Sequence, residues 1–184
     1  MIDEIFRKVW ELTPLIHCIT NPISINQCAN AILSCGGRPI MAEHPGEVEE
    51  ITATAGALLL NLGNITDARM ESMPIAAAAA RRAGIPWVLD AVGAACSSLR
   101  RRFIASLLSS GIPSLIKGNY SEIMALWRPD YSASGVDADG SLKVEPMTKI
   151  AAGLASRMGT IVLASGATDI VTDGSKTLLI NNGT

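Results

Sequence analysis

The sequence predicts an α/β protein built on a doubly wound, mostly parallel sheet. Short apolar runs alternate with longer stretches of helical period along the whole chain. The runs end in Gly, Asn or Asp, residues suited to the turn that follows a strand. Several, such as ALLLNLG and WVLDAVG, are apolar without polar alternation, as expected of strands buried on both faces.

The elements follow in order. Residues 3–12 form the first predicted helix and the run PLIHCIT at 14–20 the first strand. Asn21-Pro22 then opens a helix over 24–35, because proline is tolerated in a first turn. A strand at 38–42, a helix at 46–54 and a strand at 57–62 come next. The helix predicted over 67–83 has Thr66 or Asp67 as N-cap, AAAAA as its interior, and Gly84 with Pro86 as its stop. Beyond it lie a strand at 87–92, a helix at 98–109, a strand at 114–117 and a helix at 120–126. Residues 128–144, RPDYSASGVDADGSLKV, are polar and Gly-rich and read as a surface loop. A helix at 146–158 and strands at 160–164, 169–172 and 177–180 complete the pattern.

Composition bounds the function. The 184 residues suit one domain spanning 1–184. Charged residues make up 17%, below the ~25% usual for soluble domains, which favours a large buried core or a subunit interface. A net charge of -2 offers no electrostatic footprint for nucleic acid or an anionic membrane. No apolar stretch approaches the ~20 residues needed to span a bilayer. The opening MIDEIFRKVWELTP lacks the apolar segment of a secretion signal, so a cytoplasmic protein is expected. Its four cysteines, Cys18, Cys28, Cys35 and Cys96, are then reduced thiols, each read as a small buried hydrophobe. No C-x-x-C pair occurs, and His17 and His44 are too isolated to suggest a metal cluster.

Ligands of doubly wound sheets bind at the carboxyl ends of the strands, so the residues there carry the functional information. In HCITNP, Asn21 could point its amide at a small polar ligand, or Thr20 or Asn21 could simply cap the next helix. In NLGN, Gly63 permits close backbone approach, yet a plain turn explains it equally. In LDAVGAA, Asp90 closes an apolar strand, which is costly unless the carboxylate is paired, hydrated or facing a cation; a turn cap is the alternative. In IKGNYSE, Lys117 suits a phosphate and Glu122 falls in the first turn of a helix, where both could also be merely solvated. In ASGATD, Ser165 and the Gly166 backbone could face a nucleotide or form a tight hairpin. None of these strings is a Walker A loop or a dinucleotide fingerprint.

Taken in order, PLIHCITNPIS, NQCANAILSCGGRPIM, GALLLNLGN, PWVLDAVGA, IKGNYSEIMAL, GVDA and ASGATDIVTDG resemble the hydroxyethylthiazole kinase family. The resemblance runs essentially from Leu12 to the last residue. It implies a ribokinase-like, doubly wound, mostly parallel sheet with helices on both faces. It also implies transfer of the ATP γ-phosphoryl to the hydroxyl of 4-methyl-5-(2-hydroxyethyl)thiazole in thiamine biosynthesis or salvage. On that resemblance Asn21, Met41 and Gly63 line the thiazole pocket, Asp90 and Glu122 hold Mg²⁺, and Lys117 and Ser165 contact ATP. A homotrimer with active sites between subunits is implied too.

The chain departs from the family pattern at Ala91, where Pro is usual, at Lys117, where Arg is usual, and at Ala167, where Glu is usual. It stops at Asn181-Asn182-Gly183-Thr184, before the Gly-rich anion-hole turn and catalytic Cys that the resemblance implies. The expectation is therefore a fragment of a full kinase, with no catalytic residue assigned within it. The alternatives are a non-catalytic thiazole- or nucleotide-binding form, or a related ribokinase-like vitamin kinase.

Overall fold

The computed structural model describes residues 2–128, 130–132 and 142–181. The chain divides into two compact units, Met1–Trp87 and Val88–Thr184.

The first unit contains α1 (Ile2–Leu12), β1 (Leu15–Ile19), α2 (Ile25–Ser34), β2 (Arg38–Ile40), α3 (Val48–Thr54), β3 (Ala57–Asn61) and α4 (Asp67–Ala83). Strand β1 lies between β2 and β3 and pairs with both in parallel, with Ile16 opposite Pro39 on one side and Ala57 on the other. All three strands therefore end at the same edge, bringing the segments after Ile19, Ile40 and Asn61 to it. The core is aliphatic: Ile19, Leu58, Leu60, Leu62 and Met73 are fully buried beside Ala76, Ala77 and Ala80 of α4. Truncating one such leucine to alanine costs roughly 2–5 kcal/mol.

Helix α4 begins where the local chemistry directs it. The Thr66 hydroxyl accepts from the Arg69 backbone N–H, and Gly84 closes the helix in the left-handed conformation. Helix α3 packs on α4, where Arg82 pairs with Glu49 at 2.7 Å.

The second unit contains β4 (Trp87–Asp90, its first residue lying at the boundary), α5 (Ser98–Ser110), β5 (Leu115–Asn119), α6 (Tyr120–Trp127) and α7 (Val144–Met158). Strands β6 (Ile161–Ser165), β7 (Asp169–Thr172) and β8 (Thr177–Ile180) follow. The strand order is β4-β5-β6-β7-β8: β4, β5 and β6 are parallel, while β7 and β8 are added as antiparallel hairpins. Helix α6 packs on β5, and α7 packs on β6 and β7.

The structure amends two readings. The strands read as buried on both faces instead alternate: in β3, Leu58 and Leu60 are buried while Ala57, Leu59 and Asn61 are half-buried, and in β4 Trp87 and Leu89 are buried while Val88 and Asp90 are half-buried. Helix α4 packs against β3. The cysteines also differ from expectation, for only Cys18 is buried, Cys28 is half-buried, and Cys35 and Cys96 are exposed. Cys35 is the C-cap of α2, and Cys96 lies in the turn before α5 with its thiol donating to the Gly93 carbonyl. Ends of helices and turns face solvent whatever the residue's hydropathy. Of the predicted surface loop, residue 129 and residues 133–141 lie outside the described residues, the GVDA string among them; Tyr131 N–H donates to Arg128 O at 3.0 Å before the gap.

Candidate functional site

Each unit presents candidate site residues at the carboxyl ends of its parallel strands. In the first unit the organising group is the Asn61 side chain, on the last residue of β3. Its oxygen accepts from the Gly63 backbone N–H at 2.8 Å and from the Asn21 side-chain amide at 3.3 Å. The Asn21 oxygen in turn accepts from Ser24 N–H at 3.0 Å, which turns the chain into α2. The N-cap of α2 is Ser24, not Thr20 or Asn21 as expected; the Asn21 oxygen shapes the helix entry from three residues earlier, and its amide nitrogen faces Asn61. A Cβ built on Gly63 would lie 2.7 Å from the Asn21 amide nitrogen and 2.8 Å from the Asn61 oxygen. Glycine is thus required by close approach.

Met41 follows β2 and is half-buried. The segment it opens is tied to the core through Ala42, whose carbonyl lies 2.9 Å from His17 Nε2. A carbonyl only accepts, so Nε2 carries the proton, and the Thr52 hydroxyl donates to Nδ1 at 2.8 Å. Burial lowers the His17 pKa below the usual histidine value, against the opposing pull of the Ala42 carbonyl and Glu47. The imidazole is therefore a neutral structural link. Neighbouring Cys18 is inert for the same reason, its thiol pushed up to about 12 by burial, with Cys28 adding to the effect.

In the second unit, parallel register places Asp90 at the end of β4 directly opposite Lys117 on β5. The Lys117 ammonium lies 3.4 Å from each Asp90 oxygen. Two residues on, Asn119 ends β5 and caps α6: its side-chain oxygen accepts from Glu122 N–H at 2.9 Å, and Glu122 Oε2 accepts from Asn119 N–H at 2.7 Å. The other Glu122 oxygen accepts from Gly93 N–H at 2.7 Å. Gly93 has φ 77°, a left-handed conformation that favours glycine.

Glu122 was expected to be either a metal ligand or a solvated helix-start residue, and its surroundings differ from a solvated one. It is 2% exposed and binds the loop after β4 to the start of α6. Burial raises its pKa; the N–H groups of Gly93 and Asn119 oppose this, nearby Asp90 adds to it, and Lys117 works against it. The Glu122 carboxylate thus sits within the field of both Asp90 and its partner Lys117. Ser165 pairs in register with Asn119 and its hydroxyl donates to Gly118 O at 3.4 Å. The tight hairpin reading holds here as well, since Gly166 N–H donates to Asp169 at the β6–β7 turn.

Of the residues expected at the thiazole, Asn21 and Gly63 meet through Asn61, while Met41 lies in the segment after β2; of those expected at Mg²⁺ and ATP, Asp90, Lys117 and Glu122 lie close together and Ser165 pairs in register with Asn119. Sequence reasoning missed the linking roles of Asn61, His17, Arg69 and Gly93. Among the described residues no group of three or more His, Cys, Asp or Glu stands ready to hold a metal unaided. A cavity of about 440 Å³ lies away from the strand ends, lined by aliphatic residues of α5, α6 and α7 such as Ile104, Leu108, Leu126 and Leu154, with Arg101, Arg102 and Arg157. Arg101 already donates to the carbonyls of Ala94 and Ala95, and Arg157 to Leu126 O while stacking on Trp127.

Comparison with known proteins decides the family. The model of the hydroxyethylthiazole kinase family matches residues 6–184. The chain belongs to the hydroxyethylthiazole kinase family. It is therefore a member of an enzyme family of small-molecule kinases. It is 46% identical over 185 residues to hydroxyethylthiazole kinase 2 of Clostridium botulinum strain 657, covering 98% of this chain and 70% of that relative. The structure of the hydroxyethylthiazole kinase protein from Pyrococcus horikoshii OT3 matches with a TM-score of 0.87 at 35% identity, covering 98% of this chain and 66% of that one. The chain thus spans about two thirds to 70% of the length of these relatives. Adenosine kinase from Schistosoma mansoni, in complex with tubercidin, matches at TM-score 0.55 and 12% identity, which shows a shared ribokinase-like fold alone. For this family member no described helix is long and apolar enough to cross a membrane.

Proposed function

We propose that the intact enzyme transfers the γ-phosphoryl of ATP to the hydroxyl of 4-methyl-5-(2-hydroxyethyl)thiazole in thiamine biosynthesis or salvage. The observation that carries this reading is the Asp90–Lys117–Glu122 cluster at the ends of β4 and β5, in a chain of the hydroxyethylthiazole kinase family. Phosphoryl transfer asks a protein mainly for positioning and for charge at the phosphates. Lys117 supplies a cation on a flexible stem, and Ser165 a hydroxyl at the neighbouring strand end. Asn21, Met41 and Gly63 supply an amide, a thioether and an open backbone to a neutral heterocyclic alcohol.

The donor set fits a Mg²⁺ ion that arrives with the nucleotide. Asp90 is half-buried at a strand end and offers carboxylate oxygens; each Glu122 oxygen takes one backbone N–H and keeps lone-pair capacity. Mg²⁺ needs only one or two carboxylates beside phosphates and waters. Bound there, it would neutralise charge on the phosphate oxygens. Residues 1–184 belong on this reading to a single ribokinase-like domain, which the Pyrococcus match over 98% of this chain supports, and a cytoplasmic location rests on the N-terminal sequence MIDEIFRKVWELTP. A homotrimer is the assembly the family resemblance implies, and the exposed apolar face of α1, with Ile5, Phe6, Trp10 and Leu12, supports a subunit interface there.

The test is phosphorylation of the thiazole alcohol by the intact enzyme with ATP and Mg²⁺, followed by the appearance of its phosphate ester. Turnover that requires ATP, Mg²⁺ and Asp90 is expected. No ester at saturating substrate, with no thiazole binding by calorimetry, would refute the assignment.

A further inference from the structure

Arg69 occupies the third position of α4, where a cation faces the positive end of the helix dipole and is locally unfavourable. It is also 4% exposed. Placing a charge there is costly unless the charge serves a directed purpose. All three guanidinium nitrogens are in use. Nε and Nη2 each lie 2.7 Å from Glu43 Oε2, in the segment two residues after Met41. Nη1 donates to Asn64 O at 2.9 Å, one residue after Gly63. A single planar group therefore spans the segment after β2 and the segment after β3. His17 fixes the same Met41 segment from the core side, through Ala42.

We propose that Arg69 is a positioning residue for the alcohol substrate, holding the Met41 segment and the Gly63 segment at the separation the heterocycle requires. The inference rests on the reading that Met41 and Gly63 line the thiazole pocket. Glu43 is the counter-charge, and the fixed fork of the guanidinium sets the distance. Lysine, with a single head group, keeps the charge but cannot reach Glu43 and the Asn64 carbonyl in the same planar geometry.

The test uses the intact enzyme with Arg69→Lys, Arg69→Met and Glu43→Gln, measuring KM for the thiazole alcohol and for ATP separately. Arg69→Lys is expected to raise KM for the alcohol about 10-fold while leaving KM for ATP within about twofold. It should also raise the relative kcat/KM of a 4-ethyl analogue over the 4-methyl substrate, because a loosened wall admits the larger group. Glu43→Gln should move both readouts the same way and less. If Arg69→Met fails to fold, the lysine and glutamine variants still decide. KM values for alcohol and ATP rising in parallel, or neither moving in folded Arg69→Lys, would overturn the proposal. Gly63→Ala and Met41→Ala are the controls: if neither changes KM for the alcohol, the pocket reading itself has failed and takes the proposal with it. If they do and Arg69→Lys does not, the proposal alone fails.

Discussion

Lys117 Nζ sits 3.4 Å from both carboxylate oxygens of Asp90, its register partner across parallel strands β4 and β5. Charge-assisted hydrogen bonds close to about 2.7–2.9 Å when nothing competes. The pair is therefore loose, and the ammonium can turn toward a phosphate without breaking a short bond. Lys117→Met is expected to raise KM for ATP about 10-fold and leave KM for the alcohol unchanged. Asp90→Asn should lower kcat about 100-fold, the scale of one lost electrostatic contact in a transition state. Steady-state kinetics with each substrate varied in turn check both.

Gly63→Ala places a methyl group 2.7 Å from the Asn21 amide nitrogen. The amide must swing away, and Asn61 loses a donor. KM for the thiazole alcohol is expected to rise 10-fold or more by roughly the 1–3 kcal/mol that an unmade buried hydrogen bond costs. ATP affinity should not change, and calorimetry with each ligand separates the two.

His17 ties stability to pH. Burial lowers its pKa in the folded state, so the unfolded chain binds the proton more readily. The stabilisation is complete above the unfolded value of about 6.5 and is lost as pH falls from there toward the folded pKa. Thermal unfolding of the wild type should therefore weaken across that acid window. His17→Gln is expected to lower Tm at neutral pH and to flatten this slope. Equal slopes in both proteins would remove His17 as its source.

Ser72 is fully buried in α4, and its hydroxyl finds no partner among the described residues. Ser72→Ala removes an unpaired polar atom and adds helix propensity. A gain of about 1 kcal/mol is expected, read as a rise in Tm or in the urea midpoint.

Much of this was legible in the sequence because it is local. Every predicted strand and helix occurs within a few residues of its expected bounds, and the cap at Thr66 and the stop at Gly84 stand where short-range chemistry puts them. Parallel pairing, legible from the alternation of strands and helices, collects the strand ends at one edge of each unit. What escaped is non-local. Asn61 joins Asn21 to Gly63 only because β1 and β3 are neighbours, 40 residues apart in sequence for the Asn21 contact. Glu122 read as a helix-start residue because nothing local shows that the Gly93 N–H, 29 residues earlier, comes back to its carboxylate. Nothing local in the sequence sets Arg69 apart within its helix, for its partners Glu43 and Asn64 lie in two separate segments. Exposure of Cys35 and Cys96 follows from helix and turn ends, which hydropathy does not register.

The two sets of strand-end groups differ in kind. Asn21, Asn61, Met41 and Gly63 offer dipoles, a thioether and bare backbone, whereas Asp90, Lys117 and Glu122 carry formal charge. Raising ionic strength from 0.1 M to 1 M shortens the screening length from about 10 Å to about 3 Å. On the proposed assignment, added salt therefore weakens binding of a polyanionic nucleotide and leaves a neutral alcohol held as before, a selectivity that ligand titrations at the two ionic strengths would read out.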